Sequence, residues 1–68
     1  MKISARNRLQ GKVVAVSHGV TTTHVQIDVG GSIITASITR TSAEELGLAP
    51  GKTAWAIIKA SDVMVGVD

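Results

Sequence analysis

In VTTTHVQIDV, residues 20–29, Val25, Ile27 and Val29 alternate with His24, Gln26 and Asp28. A period of two with one apolar face predicts a half-buried antiparallel strand. Gly30 and Gly31 follow as a two-residue hairpin signal. SIITASIT then resumes the alternation, with Ile34, Ala36 and Ile38 on one face and Ile33, Thr35 and Ser37 on the other. Upstream, the valine-rich LQGKVVAV, residues 9–16, reads as a further strand. Gly11 inside it marks a bulge or a close backbone approach. SHG at 17–19 reads as a turn in which Gly19 is free to take a positive φ.

The period breaks at TSAEELGL, residues 41–48. Ser42 with Glu45 three residues later has capping-box spacing, and Gly47 suits a C′ position, which predicts a helix of one or two turns. APGK at 49–52 places Pro50 and Gly51 at the central positions of a type II turn. It feeds TAWAIIKA, a fourth strand, and DVMVGV, a fifth. Three strands, a short helix and two strands give an all-β fold, an OB-like five-stranded barrel with one short helix between strands 3 and 4. The expectation is one domain over residues 1–68, since no linker, repeat or low-complexity tract interrupts it.

Composition limits what such a barrel does alone. Domains below roughly 70–80 residues seldom build a sufficient core without a staple. There is no cysteine, so disulfides and thiolate zinc sites are excluded. Two histidines, His18 and His24, cannot complete a zinc site unaided, and no directly ligated metal is expected. Yet 44% of residues are hydrophobic and the mean hydropathy is +0.30. Apolar side chains therefore remain outside a single copy, the mark of a subunit interface, and a homo-oligomer is expected. No apolar run approaches the roughly 20 residues of a membrane span, and no signal-peptide core is present, so the expectation is a cytoplasmic protein without a membrane partner.

Net charge is only +2, but Lys2, Arg6, Arg8 and Lys12 precede the first acid, Asp28. Total charge this small does not by itself imply nucleic acid. Trp55 is the one aromatic residue, read as core or interface, and one ring cannot supply the stacking platforms of a single-strand-binding OB fold. A small basic nucleic-acid-binding OB protein working through phosphate contacts is the alternative function. Catalysis is not expected. Ser17, His18 and Asp28 form no nucleophile elbow, and adjacent Glu44 and Glu45 suit the first turn of a helix. His18 reads as a turn residue and His24 as a solvated or interface side chain.

Three polar segments suggest one chemistry. SARN brings Ser4, Arg6 and Asn7. ITRTS at 38–42 sets Thr39, Thr41 and Ser42 at a helix start, where free N–H groups and the dipole favour anions. IKAS at 58–61 ends the fourth strand with Lys59 and Ser61. Together they offer hydroxyls, amides and cations and no carboxylate acceptor. Phosphate near neutral pH retains a proton that wants an acceptor, whereas molybdate, tungstate and sulfate need only donors. About six hydrogen bonds to a charged ligand, each roughly 1.5–3 kcal/mol before association costs, readily cover micromolar binding, about −8 kcal/mol.

SARNRLQGKV, ITASITRTSAEELGLAPGK and AIIKASDVMV, in this order and spacing, resemble the molybdenum-pterin-binding (Mop) domain, and the lone domain resembles the molbindins. The resemblance spans essentially the whole chain. It implies a homohexamer, a trimer of dimers, that stores or buffers molybdate or tungstate between subunits with no organic cofactor. By motif, Ser4, Arg6, Lys59, Ala60 and Ser61 would form one wall of an interface site, with Thr39 and Ser42 of a neighbouring subunit opposite. A second oxyanion site near a threefold axis would fall at His18, Gly19, Val20, Thr21 and Thr22. SARN is then expected to be held against the end of the fourth strand by subunit pairing.

Overall fold

The computed structural model describes all 68 residues. Its strands are β1 (Asn7–His18), β2 (Thr22–Asp28), β3 (Ile33–Thr39) and β4 (Thr53–Ile58), with the helix α1 (Arg40–Glu45) between β3 and β4 and a 3-10 turn at Ala60–Asp62. The strands form one antiparallel sheet in the order β3-β2-β1-β4, curled as in OB-like folds.

The curl originates in β1. Its first half pairs with β4, from Asn7↔Ile58 to Lys12↔Thr53, and its second half with β2, from Lys12↔Asp28 to His18↔Thr23. Lys12 belongs to both ladders, and a register shift between Val13 and Ala15 adds the bend that a bulge imposes. Gly11 sits at the crossing, where a Cβ would lie 2.2 Å from the Asp28 carbonyl oxygen. The expected close approach is thus present, and the register shift lies beyond it, at Val13/Ala15.

The inner face of the curl carries Val13, Val25, Ile27 and Ala56 as its buried core, flanked by half-buried Val16, Ile34, Ile38 and Leu48. The alternation in β2 and β3 holds throughout and extends to Thr23, which is fully buried and exchanges a hydrogen bond with His18 Nδ1 at 2.9 Å. Gly30 and Gly31 turn the β2–β3 hairpin at φ 92° and 98°, and both amides donate to Asp28 Oδ1.

Four expectations are corrected. Ser17 and His18 continue β1 rather than turn, and Gly19 is absent from the positive-φ glycines; its amide donates to the Thr22 carbonyl at 2.7 Å. The helix cap is Thr39, whose side chain accepts from the Ser42 amide, so Ser42 is the third helical residue and not the cap, and Glu44 and Glu45 end the helix rather than open it. Thr39 lies at the end of β3 with extended dihedrals (φ −68°, ψ 148°), the geometry an N-cap requires. The fifth strand does not form in this chain. After the 3-10 turn, residues 63–68 run without regular structure and join no strand of the sheet. Finally, SARN needs no second subunit to reach β4: Asn7 pairs with Ile58, and its side-chain amide donates to the Ile58 carbonyl at 3.2 Å.

The helix ends as Gly47 requires. At φ 62° it allows its own amide to reach the Glu44 carbonyl and the Leu48 amide to reach Ala43, a Schellman closure. Lys52 adds its ammonium to the Leu46 carbonyl at 2.5 Å, at the negative end of the helix. The 49–52 turn closes through the Lys52 amide to Ala49 with Gly51 at φ 92°, as the Pro-Gly pair predicts.

Candidate functional site

The Asn7↔Ile58 pairing decides which polar residues meet. It brings the segment before β1 alongside the segment after β4. There the 3-10 turn, closed by the Asp62 amide on the Lys59 carbonyl at 2.8 Å, folds Lys59, Ala60 and Ser61 back toward the chain start. The result is an open depression of about 650 Å³ lined by Ser4, Arg6, Lys59, Ala60 and Ser61, with Ala5, Ile57 and Asp62. Five residues singled out from separate ends of the sequence therefore share one surface.

Its electrostatics favour an anion. The molecule's one ion pair is Arg40–Glu44 on the helix, at 2.8 Å. Arg6 and Lys59 thus have no carboxylate within 4.0 Å, and both side chains are exposed. Asp62 was missed by the sequence reading, which counted the segment only to Ser61. The tight turn sets its residue on the same rim, so the donor set carries one acid after all.

Thr39 and Ser42 lie elsewhere, at the start of α1. Two donors expected there are already engaged: the Arg40 amide on the Thr21 carbonyl at 2.9 Å, and the Ser42 amide on Thr39 Oγ1 at 3.0 Å. The Thr39 hydroxyl in turn donates to Ser42 Oγ at 2.8 Å. Ser42 Oγ is then the acceptor of that pair, and its own proton is free to point outward.

The connection between β1 and β2, from His18 at the end of one strand to Thr22 at the start of the next, packs beside this helix start. Arg40 reaches the Gly19 carbonyl through Nη1 at 3.3 Å, and Thr22 pairs with Thr39 across β2 and β3. Val20 is 92% exposed at its tip. Within one chain the candidate residues thus form two groups. One lies at the β1/β4 end, and the other gathers Thr39, Ser42 and residues 18–22. No three His, Asp or Glu side chains come together as a metal cage, and no helix is long and apolar enough to cross a membrane.

Comparison with known proteins gives this geometry a context. A family model described as TOBE domain matches residues 3–65. A probable molybdenum-pterin-binding protein of Haemophilus influenzae is 49% identical, the match covering 100% of both chains. Among solved structures, a molybdate binding protein from Sporomusa ovata superposes with a TM-score of 0.93 at 34% identity, over 98% of this chain and 100% of that one. The cytoplasmic molybdate-binding protein ModG, solved with molybdate bound, superposes with a TM-score of 0.94 at 42% identity; the match covers 100% of this chain and 49% of ModG.

Proposed function

The chain belongs to the molybdenum-pterin-binding (Mop) family within the TOBE domains, and from that premise we propose that it binds molybdate, or the nearly isosteric tungstate, as a bare oxyanion. One observation carries the reading. Ser4, Arg6, Lys59, Ala60 and Ser61 converge on one depression whose two cations lack acidic partners. Hydroxyls, amides and an ammonium around a dianion need no proton on the ligand, and Asp62 is the one acceptor on the rim.

The depression is open on one side, so a single chain surrounds the anion only in part. Thr39 and Ser42 of a neighbouring copy complete the shell in this reading, with the outward Ser42 hydroxyl as donor. The assembly is a homohexamer built as a trimer of dimers. A second oxyanion is held by residues 18–22 where three copies meet. The role is storage or buffering in the cytoplasm by one domain over residues 1–68, without an organic cofactor and without catalysis. Likeness to the cytoplasmic ModG and to the Sporomusa ovata molybdate binding protein supports this reading. Nucleic acid is the weaker reading, because Trp55 lines a different groove from Arg6 and Lys59 and cannot stack bases over them.

Isothermal titration with molybdate, repeated on Lys59→Ala and Arg6→Ala, tests the proposal. Loss of a charged hydrogen bond of about 1.5–3 kcal/mol predicts affinity lower by about tenfold or more for each variant, with folding intact. Full affinity in both variants would remove the depression from the site.

A further inference from the structure

One buried hydroxyl belongs to neither group of candidate residues. Thr23, in β2, is the one polar side chain that is fully buried. It stands in a row across three strands, opposite His18 of β1 on one side and Ile38 of β3 on the other. Its hydroxyl lies 2.9 Å from His18 Nδ1, the one hydrogen bond that either side chain makes.

That bond fixes where the protons are. A hydroxyl proton buried away from water needs an acceptor, and Nδ1 is the acceptor within reach. Nδ1 accepts only when it carries no hydrogen itself, so the ring is neutral with its proton on Nε2. The opposite tautomer would leave the Thr23 proton without a partner. His18 is exposed, and Nε2 is its free nitrogen.

The residues that follow are held at the carbonyls and open at the amides. The Thr21 carbonyl accepts from the Arg40 amide, and the Gly19 carbonyl from Arg40 Nη1. The Gly19 amide is engaged on the Thr22 carbonyl, but the Val20 and Thr21 amides make no hydrogen bond within the chain. Arg40 is itself paired with Glu44 at 2.8 Å, so its charge is largely neutralised. The donors left on this connection are therefore the two amides, the hydroxyls of Thr21 and Thr22, and His18 Nε2–H.

We propose that Thr23 is a positioning residue for the oxyanion held by residues 18–22: by donating to Nδ1 it locks His18 in the tautomer whose Nε2–H donates to the anion, beside the Val20 and Thr21 amides. The inference rests on the reading that this connection binds an oxyanion, and adds which ring atom serves and what aims it. With the proton on Nδ1 instead, the ring would turn a bare lone pair toward the anion and repel it.

The test begins without oxyanion. Two-bond proton–nitrogen correlation spectra of the full chain are recorded at alkaline pH, with the exposed His24 as internal reference. His18 is expected to show the Nε2–H pattern, with Nδ1 displaced from that of His24 by the bond it accepts. Thr23→Val should return Nδ1 to the His24 position, and Thr23→Ser, which retains the hydroxyl, should keep the displacement. A proton on Nδ1, or a spectrum indifferent to Thr23→Val, overturns the inference. The unaltered chain reports the tautomer directly, so a Thr23→Val variant that fails to fold leaves the decision to it. Molybdate is then added, and a saturable shift of His18 Nε2 is expected. In Thr23→Val the ring is free to flip and to exchange tautomers; a competent fraction of about a third weakens that response about threefold. Molybdate that gives binding heat yet leaves His18 unmoved overturns this inference and not the depression at Arg6 and Lys59. No binding heat at all overturns both.

Discussion

At the scale of single residues, the positions that matter most are fixed by contacts of about one atom. Gly11 is the sharpest: a methyl there meets the Asp28 carbonyl oxygen at 2.2 Å, and the obstacle is backbone that cannot rotate away. Gly11→Ala is expected to destabilise the fold by about 2–3 kcal/mol, the upper range of overpacking, as read from urea denaturation. Thr39 and Ser42 are a second case, because two neighbouring hydroxyls have different tasks. Thr39 accepts from the Ser42 amide and caps the helix, so Thr39→Ala is expected to cost about 1 kcal/mol of stability. Ser42→Ala leaves that cap in place and is expected to weaken molybdate binding with little change in the denaturation midpoint. Paired denaturation and titration curves on the two variants check this division. Gly47, Gly51 and the Gly30-Gly31 pair were legible in the sequence because positive φ is a local need that glycine answers locally. The cap was misplaced by three residues because Thr39 and Ser42 are both hydroxyl residues, and only the end of β3 decides which one has extended backbone. Asp62 escaped notice because the turn, and not the spacing, brings it to the rim.

At the scale of elements, β1 is the organising piece. It touches both halves of the sheet, and Val13, 1% exposed, sits where the two ladders meet. Val13→Ala is expected to cost about 2 kcal/mol from lost transfer energy and the residual cavity. In a core of four buried apolar residues that loss should appear as a lower midpoint in thermal unfolding followed by circular dichroism. The alternation of β2 and β3 was readable position by position, since one face looks inward and the other outward. The length of β1 was not, because Ser17 and His18 are polar and join the ladder only through their partners His24 and Thr23. The fifth strand shows the same limit from the other side. Its period of two says that residues 63–67 favour a sheet, but a period carries no information on which chain supplies the edges. The donors of SARN were likewise found without their support within the chain, since the tie is the Asn7↔Ile58 pairing together with the side-chain bond from Asn7 to the Ile58 carbonyl.

At the scale of the whole molecule, thirteen large apolar side chains are exposed against six buried residues, the balance on which the proposed assembly rests. The midpoint of thermal unfolding is therefore expected to rise with protein concentration, as it does for oligomers whose free subunits are weakly stable. Molybdate at about a hundred times its dissociation constant should add about 2.7 kcal/mol if it binds only the folded form. A scan across protein and molybdate concentrations separates the two contributions, and a midpoint indifferent to both would contradict this balance. The position of Trp55 also has a practical meaning. It is the chain's one aromatic side chain, 46% exposed, and it borders the apolar groove rather than the depression that holds Arg6 and Lys59. The protein thus carries a single intrinsic fluorophore on that groove: if the proposed oligomer covers it, the emission should move to shorter wavelength on assembly, and stay nearly silent when an anion is captured on an oligomer already formed.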